Sequence, residues 1–353
     1  MSVRIALAGY GYWGPNLARI IAQLDNAELI AVHDPILERS LDVKKRHPSV
    51  CFLESWEEVC DSSRFDALIL ATPAETHYKL AAAALKSGLD VLVEKPLALS
   101  TQEAFQLVRL SEESGRILMV GHTYEFNPAV ERMRELAERG DLGDLFYGYS
   151  LRVNLGRIRE DIDAWWNLAP HDVSIFNFLF QSAPVRVWAQ SSSHIHPERA
   201  DVVFATLQYP GNITSHIHVS WLDPCKERKL TLVGSERMVV FDDMSADARL
   251  RVFDKKAVPS EEPSAYGLYH TKLHAGDILI PKLPLVEPLA AECEHFLHCV
   301  QTRDIPRSDG FSGARTVQVL EAVTDSIDQG GIPIEITQMN PGLPQETETV
   351  STW

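Results

Sequence analysis

A glycine-rich turn between two apolar strands restricts the fold more than any other feature of the chain. The apolar run Val3–Ala8 leads into Gly9-Tyr10-Gly11-Tyr12-Trp13-Gly14, and residues with helical spacing follow from Leu17. A second apolar run ends in Asp34, twenty residues after Gly14. Such glycines allow a tight turn and close approach of the backbone to a pyrophosphate, which a helix N-terminus attracts. The unit predicts a dinucleotide site with Asp34 on the adenosine ribose. The alternative is a tight turn followed by a solvent-facing Asp34.

Strands and helices alternate from Val3 to His122, which predicts a doubly wound parallel sheet of the Rossmann type. One of these strands, Val91–Val93, runs directly into Glu94-Lys95-Pro96-Leu97. Three apolar residues in a row suit a strand covered on both faces, and Pro96 restricts Lys95 to extended or turn geometry. Lys95 is therefore expected at the carboxyl end of a strand, where open α/β sheets bind ligands. A solvated surface turn is the alternative.

The pattern changes after His122, where strand-like segments follow one another with one helix between them, predicted at Ala169–Gln181. Strands in series without helices imply a large, mainly antiparallel sheet. We expect a Rossmann domain over residues 1–122 and an α+β domain with an open, mainly antiparallel sheet over residues 123–337. Residues 260–284 are predicted to be irregular. Residues 338–353 lack apolar periodicity and are predicted to form a loose tail.

Charge and composition exclude several classes of partner. The chain of 353 residues has a formal net charge of -16, which argues against nucleic acid or anionic membrane as the main partner. A phosphorylated small ligand stays open, because a local helix N-terminus can bind phosphate in an acidic protein. We find no signal peptide and no apolar run long enough to span a membrane. Five scattered cysteines indicate free thiols and a cytoplasmic location.

Four segments resemble the Gfo/Idh/MocA family of glucose–fructose oxidoreductases, inositol dehydrogenases and their sugar-modifying relatives. They are Ala8–Gly14, Ala71–Tyr78, Glu94–Leu97 and Leu168–Asp172, and the resemblance continues to about Ile336. It implies an NAD(P)-dependent oxidoreductase acting on CH–OH groups, with NAD as the expected cofactor and NADP as a second possibility. In the family, the Glu-Lys-Pro turn joins cofactor to substrate, often through a cis Lys–Pro bond. The outer face of the second sheet commonly makes oligomers there, which implies a homodimer or homotetramer.

The resemblance also implies roles for single residues. Those expected to bind the cofactor lie in the glycine turn, at the ends of the following strands and in the Glu-Lys-Pro turn: Gly9, Gly11, Tyr12, Trp13, Gly14, Asp34, Thr72, Pro73, His77, Glu94 and Lys95. Those expected to bind substrate lie mostly in the second half: Lys95, Tyr124, Arg157, Arg159, Asn167, His171 and Asp172. Lys95, His171 and Asn167 form the expected catalytic group.

His171 is the expected general acid/base, because imidazole titrates nearest neutral pH. Relatives carry an aspartate four residues earlier, where this chain has Asn167. An asparagine can orient the imidazole but cannot balance a positive charge on it. Lys95 would polarise the substrate oxygen and could share the proton. The structural alternatives are a helix-terminal histidine bonded to a carbonyl for His171 and a salt bridge for Asp172.

The expected substrate is a sugar, and more narrowly a nucleotide-activated sugar, because the segments Asn154–Arg159 and Leu168–Asp172 resemble those of sugar-nucleotide relatives. Arg157 and Arg159 could grip a phosphate or carboxylate of that substrate, or form a merely solvated loop. An inositol or polyol dehydrogenase is the first alternative. A non-catalytic regulator that binds dinucleotide and sugar on the same fold is the second, and Asn167 keeps it open.

Two further expectations concern the cofactor and metals. Asp34 should repel a 2′-phosphate, so the chain should prefer NAD over NADP, although His33 and Arg39 leave some room for NADP. The histidine pairs at 194 and 196 and at 216 and 218 each share a strand face, but two imidazoles alone do not make a metal site. We therefore expect no metal.

Overall fold

A computed structural model describes residues 2–156, 158–259 and 271–337 of the chain. Its first half is built around a six-stranded sheet with the strand order β3-β2-β1-β4-β5-β6, in which every neighbouring pair is parallel. The elements of this half are β1 (Val3–Ala8), α1 (Gly14–Ile21), β2 (Ala27–His33), α2 (Arg39–Arg46), β3 (Cys51–Leu53), α3 (Trp56–Val59), β4 (Ala67–Leu70), α4 (Ala74–Lys86), β5 (Asp90–Glu94), α5 (Thr101–Ser114) and β6 (Leu118–Gly121). The predicted doubly wound sheet is confirmed.

The buried strands of this sheet explain its apolar runs. All four residues of β4 are buried, as are the first four of β5, because helices cover both faces of the sheet. Helix starts follow the capping rules: the Ser100 hydroxyl accepts a hydrogen bond from the backbone N–H of Glu103 at the start of α5. The same helix ends at Gly115, which takes the left-handed conformation with φ 62°.

The second half is built around a nine-stranded sheet with the order β14-β13-β12-β11-β7-β10-β9-β8-β15. Its strands pair antiparallel except β7 with β10, so the predicted mainly antiparallel sheet is confirmed. The elements of this half are α6 (Pro128–Glu138), β7 (Leu145–Val153), α7 (Ala164–Phe180), β8 (Arg186–Ser192), β9 (Val202–Gln208), β10 (Thr214–Ser220), β11 (Glu227–Gly234), β12 (Met238–Asp242), β13 (Leu250–Pro259), β14 (Thr271–Leu279), α8 (Pro288–Thr302), α9 (Gly310–Asp328) and β15 (Ile334–Glu335).

The last two helices connect the halves. Side chains of α8, among them Phe296 and Leu297, pack in the same core as α1 and β1, so the chain returns to the first sheet near its end. Helix α9 contributes Ala314 and Val317 to a core of the first half and Val319 to the core of the second. Of the helices in the described residues, none combines the length and apolarity needed to cross a bilayer.

The start of helix α7 and the presence of strand β14 differ from the sequence-based expectation. Helix α7 begins at Ala164 instead of Ala169, because the Asp163 carboxylate caps it by accepting the backbone N–H of Trp166 at 2.9 Å, and Pro170 lies inside the helix. Strand β14 lies in the stretch predicted to be irregular, where pairing with β13 supplies its hydrogen bonds. Residues 260–270 and the predicted loose tail, residues 338–353, lie outside the described residues.

Candidate active site

A cavity of about 1100 Å³ runs along the carboxyl ends of the parallel strands. It crosses the point between β1 and β4 where the strand order reverses, which is where sheets of this class bind dinucleotides. The glycine turn and Asp34 line one end of the cavity, and Lys95, Tyr124 and His171 line the other. One continuous space therefore joins the expected cofactor site to the expected catalytic residues.

The glycine turn has the tight geometry that its sequence predicts. Gly9 has φ +92°, and a Cβ there would lie 2.4 Å from the carbonyl oxygen of Ala71. A Cβ on Gly14, the first residue of α1, would lie 2.1 Å from the carbonyl oxygen of Gly9. Both positions therefore need glycine, and the backbone N–H groups at the start of α1 face the space where a pyrophosphate would bind. The turn fits a nicotinamide dinucleotide.

Asp34 is buried and already holds three hydrogen-bond donors. Its Oδ2 accepts the backbone N–H of Tyr10 at 2.7 Å and Nη1 of Arg39 at 2.5 Å, and its Oδ1 accepts the backbone N–H of Ile36 at 2.9 Å. The Arg39 guanidinium also lies over Gly11 and lines the cavity. The end of β2 thus offers an adenosine ribose both a carboxylate and a guanidinium.

Lys95 lies at the end of β5, beyond which the Lys95–Pro96 peptide bond is cis. Its Nζ donates to the backbone carbonyl of Asn167 at 2.8 Å. Burial lowers the pKa of Lys95 to about 8, although the carboxylate of Glu94 acts in the opposite direction. Burial also raises the pKa of Glu94 to about 7, and its Oε1 accepts the indole N–H of Trp13 at 2.5 Å. Two groups beside the cavity therefore titrate near neutral pH.

His171 shares helix α7 with Asn167, but the asparagine side chain has a different partner. The Asn167 Oδ1 accepts the indole N–H of Trp221 at 3.3 Å, and Nδ1 of His171 has no partner within the described residues. The His171 ring packs against Tyr124 with centroids 5.1 Å apart. Burial lowers the pKa of His171 well below its ordinary value, and the charges of Lys95 and Arg152 lower it further. At neutral pH the imidazole is uncharged.

Among the expected site residues that the structure describes, three do not line the cavity: Asp172, His77 and Gly14. Asp172 forms a buried ion pair with Arg152, with Nε to Oδ2 at 2.6 Å, which is the structural alternative considered for it. His77 is buried behind the cavity, and its ring nitrogens lie 2.7 Å from the carbonyl oxygen of Pro96 and 3.0 Å from that of Thr72. Arg157 lies outside the described residues.

The remaining expected residues lie along the cavity wall. Those on the cofactor side are Gly9, Gly11, Tyr12, Trp13, Asp34, Thr72, Pro73 and Glu94, and those on the substrate side are Lys95, Tyr124, Arg159, Asn167 and His171. Gly14 stands directly behind the turn, against the carbonyl oxygen of Gly9. Arg159 is half-exposed and forms an ion pair with Asp161.

Two arginines at the substrate end of the cavity are not among the site residues predicted from the sequence. Arg152 on β7 and Arg228 on β11 are directly paired in the sheet register, and both line the cavity. The Arg228 Nη1 donates to the Tyr124 hydroxyl at 3.3 Å, and that hydroxyl donates to Oδ2 of Asp243 at 2.9 Å. No signal in the sequence brings positions 152 and 228 together, because only the strand pairing does so.

A second cavity of about 1080 Å³ adjoins the first and shares six wall residues with it: Tyr12, Arg152, Arg159, Asn167, Leu168 and Arg228. Lys226 joins its wall, so four basic side chains face two acidic ones, Glu160 and Asp161. Three of these cations have carboxylate partners, Arg152 with Asp172, Arg159 with Asp161 and Arg228 with Asp243. In a chain with a formal net charge of -16, the wall therefore groups guanidinium donors without a large excess of positive charge.

The described residues contain no cluster of three or more histidine, cysteine, aspartate or glutamate side chains suited to a metal ion. The histidine pair at 216 and 218 lies on a sheet face, where the His218 ring stacks on Phe204 with centroids 4.2 Å apart.

Comparison with known proteins gives the same result from both halves. Residues 3–122 match the model of an oxidoreductase family with an NAD-binding Rossmann fold, and residues 130–240 match the GFO/IDH/MocA C-terminal domain. A 2,7-anhydro-N-acetylneuraminate hydratase of Mediterraneibacter gnavus is 24% identical over 340 residues, covering 90% of this chain and 87% of the relative. The UDP-N-acetylglucosamine 3-dehydrogenase of Acidithiobacillus ferrooxidans is 25% identical over 321 residues, covering 89% and 94%. A solved structure of that dehydrogenase has a TM-score of 0.78 at 23% identity, covering 93% of this chain and 99% of its own.

Proposed function

The chain belongs to the GFO/IDH/MocA family of NAD(P)-dependent oxidoreductases, and from this premise we propose that it interconverts a secondary alcohol and a ketone on a nucleotide-activated sugar. The observation that carries the sugar-nucleotide part is the second cavity, whose basic side chains lie next to Lys95 and His171. A diphosphate is a ligand that matches several guanidinium and ammonium groups at once. A relative named for a UDP-sugar substrate supports the same assignment.

The residues of this chain have separate tasks in the proposed reaction. Bound NAD(P) supplies the hydride chemistry. The Lys95 ammonium, fixed by the carbonyl of Asn167, polarises the reacting oxygen and exchanges its proton, because its pKa of about 8 lies close to neutral pH. His171 is uncharged, and it either accepts a hydrogen bond from the substrate hydroxyl or donates one to it. Arg228 and Arg159 hold the diphosphate in the second cavity.

A substrate panel tests this proposal. The purified chain is incubated with NAD and NADP in turn and with UDP-sugars, free sugars, inositols and sugar carboxylates, while the absorbance of the reduced cofactor is followed. We expect the largest kcat/KM for a nucleotide-activated sugar. A larger value for an inositol or another neutral polyol would contradict the proposal and support the polyol alternative.

Arg228→Gln tests the role of the basic second cavity. Losing a charged hydrogen-bond donor to a diphosphate should raise KM for the nucleotide sugar by about ten- to a hundredfold and leave kcat nearly unchanged. The matched control is Arg132→Gln, which removes an arginine from an i,i+3 pair on α6. The same rise in KM for a substrate without phosphate would show that Arg228 has a different role.

We also propose that residues 1–122 form the cofactor domain and residues 123–337 the substrate domain of a cytoplasmic homodimer or homotetramer. All five cysteines are free thiols, which supports a reducing compartment. The outer face of the second sheet exposes Tyr147, Tyr149 and Phe204, an aromatic surface that is costly to leave in water. Light scattering at micromolar concentration should give at least twice the chain mass of 39.5 kDa. A monomer would contradict the oligomer.

A further inference from the structure

A buried acid stands behind the cavity wall at the Lys95 end. Glu292 on α8 is 1% exposed, and its Oε2 accepts a hydrogen bond from the Thr123 hydroxyl at 2.8 Å. Its other oxygen, Oε1, has no partner within the described residues. Thr123 itself lines the cavity. A residue far along the chain thus fixes the direction of a hydroxyl in the candidate site.

The position of Thr123 in the sheet identifies which part of a dinucleotide it faces. Asp34, at the end of β2, marks the adenosine half of the cavity on one side of the β1–β4 reversal. Glu94 ends β5 and Thr123 follows β6, on the other side of that reversal. Thr123 therefore stands beside Glu94 and Lys95, at the nicotinamide half.

The hydrogen bond to Glu292 determines what Thr123 can offer a ligand. Its single hydroxyl proton is directed at Glu292, so the oxygen can only accept from the cavity side. Burial raises the pKa of Glu292 well above its ordinary value, and the charges of Glu94 and Glu125 raise it further. With its proton on the unpartnered Oε1, the neutral carboxyl group still accepts from Thr123 on Oε2, and this state keeps the orientation of Thr123. The wall at this point requires an N–H or O–H donor from the ligand.

We propose that Thr123, oriented by Glu292, accepts a hydrogen bond from the carboxamide N–H of the nicotinamide and so fixes the rotation of the ring. The carboxamide is the N–H donor that distinguishes this end of the cofactor from the ribose and phosphates. Thr123 is then a cofactor-binding residue, and Glu292 is a positioning residue that acts through it. The proposal depends on NAD(P) binding and not on the identity of the sugar.

The test compares two ligands by titration calorimetry. NADH carries the nicotinamide, and ADP-ribose lacks it but shares every other group. Thr123→Val keeps the side-chain shape and removes the hydroxyl, so it should weaken NADH binding by about three- to tenfold and leave ADP-ribose binding unchanged. Thr123→Ser should restore NADH binding. Thr316→Val is the control, because Thr316 is a buried threonine whose hydroxyl bonds within α9.

Two variants of the acid extend the test. Glu292→Gln keeps a carbonyl acceptor and should bind NADH like the wild type, whereas Glu292→Met should repeat the Thr123→Val result. Equal weakening of NADH and ADP-ribose by Thr123→Val would overturn the proposal, since the threonine would then be structural. Unchanged binding of both ligands would overturn it too, because Thr123 would then not contact the carboxamide. If Glu292→Met does not fold, the NADH and ADP-ribose titrations of Thr123→Val decide the proposal alone.

Discussion

The two ends of the candidate cavity differ in how their polar groups are satisfied. At the adenosine end, the Asp34 carboxylate holds three N–H donors before any ligand binds. At the nicotinamide end, Nδ1 of the cavity-lining His171 lacks a partner within the described residues. Both ring nitrogens of His122 and one oxygen of Glu292 also lack partners there, but these two residues are buried behind the wall. Buried polar groups without partners are costly, so native structures keep few of them and often at functional sites. The adenosine end is therefore preformed, whereas at the nicotinamide end the ring nitrogen of His171 is left for a ligand to satisfy, so that this end is ligand-completed.

Lys95→Ala should have the largest effect of the proposed variants, a loss of turnover at the ligand-completed nicotinamide end. Removing the ammonium that polarises the substrate oxygen should lower turnover on the order of 10²–10⁴-fold. ADP-ribose should bind as in the wild type, because the glycine turn and Asp34 are untouched. Steady-state kinetics and calorimetry measure the two effects.

Lys86→Ala is the matched control, since Lys86 is an exposed lysine in the last turn of α4. Near-normal turnover in Lys95→Ala would show that Lys95 is not a catalytic residue. Tyr124, which contacts His171, would then be the next candidate for the proton exchange.

Asp34→Ser should change the cofactor preference at the preformed adenosine end and leave the catalytic residues in place. In the wild type the Asp34 carboxylate keeps Arg39 paired and disfavours a 2′-phosphate, so NADH should bind more tightly than NADPH. Serine at this position frees the guanidinium for the 2′-phosphate, and the ratio of the two dissociation constants should move toward NADPH by about tenfold. Fluorescence titration with both reduced cofactors measures the ratio.

Arg39→Gln in the Asp34→Ser background should cancel that gain. Tighter binding of NADPH than NADH by the wild type would refute the NAD preference, and Arg39 would then be the dominant group at the ribose.

The same contrast explains what could be predicted from the sequence. The adenosine end is built from a local unit, Val3 to Asp34, whose turn, helix and strand follow from glycine placement and apolar periodicity. The nicotinamide and substrate end is assembled from distant segments. Arg152 meets Arg228 through strand register, and Thr123 meets Glu292 through the return of α8 to the first sheet. Local patterns carry no information on these pairings.

The start of helix α7 differs from the predicted Ala169, and Pro170 lies inside the helix. The Asp163 cap starts α7 one turn earlier, so Asn167 and His171 lie in one continuous helix. The four-residue spacing of Asn167 and His171 is visible in the sequence. The partner of the Asn167 side chain is not, because strands β8, β9 and β10 separate Trp221 from Asn167 along the chain.

Asn167→Asp should have the smallest effect of the proposed variants, a shift in the pH dependence of kcat/KM. The wild-type Lys95 ammonium bonds the backbone carbonyl of Asn167, so a carboxylate on the same residue lies close to it. A nearby negative charge favours the charged form and raises the pKa of Lys95 from about 8. In the direction of carbonyl reduction the protonated lysine is the active form, so kcat/KM falls as pH rises through that pKa. This falling limb should move upward by about one pH unit in the variant.

Asn154→Asp, which adds the same charge to the wall of the second cavity, should leave the limb in place. A falling limb that stays at the wild-type position in Asn167→Asp would show that a group other than Lys95 controls it.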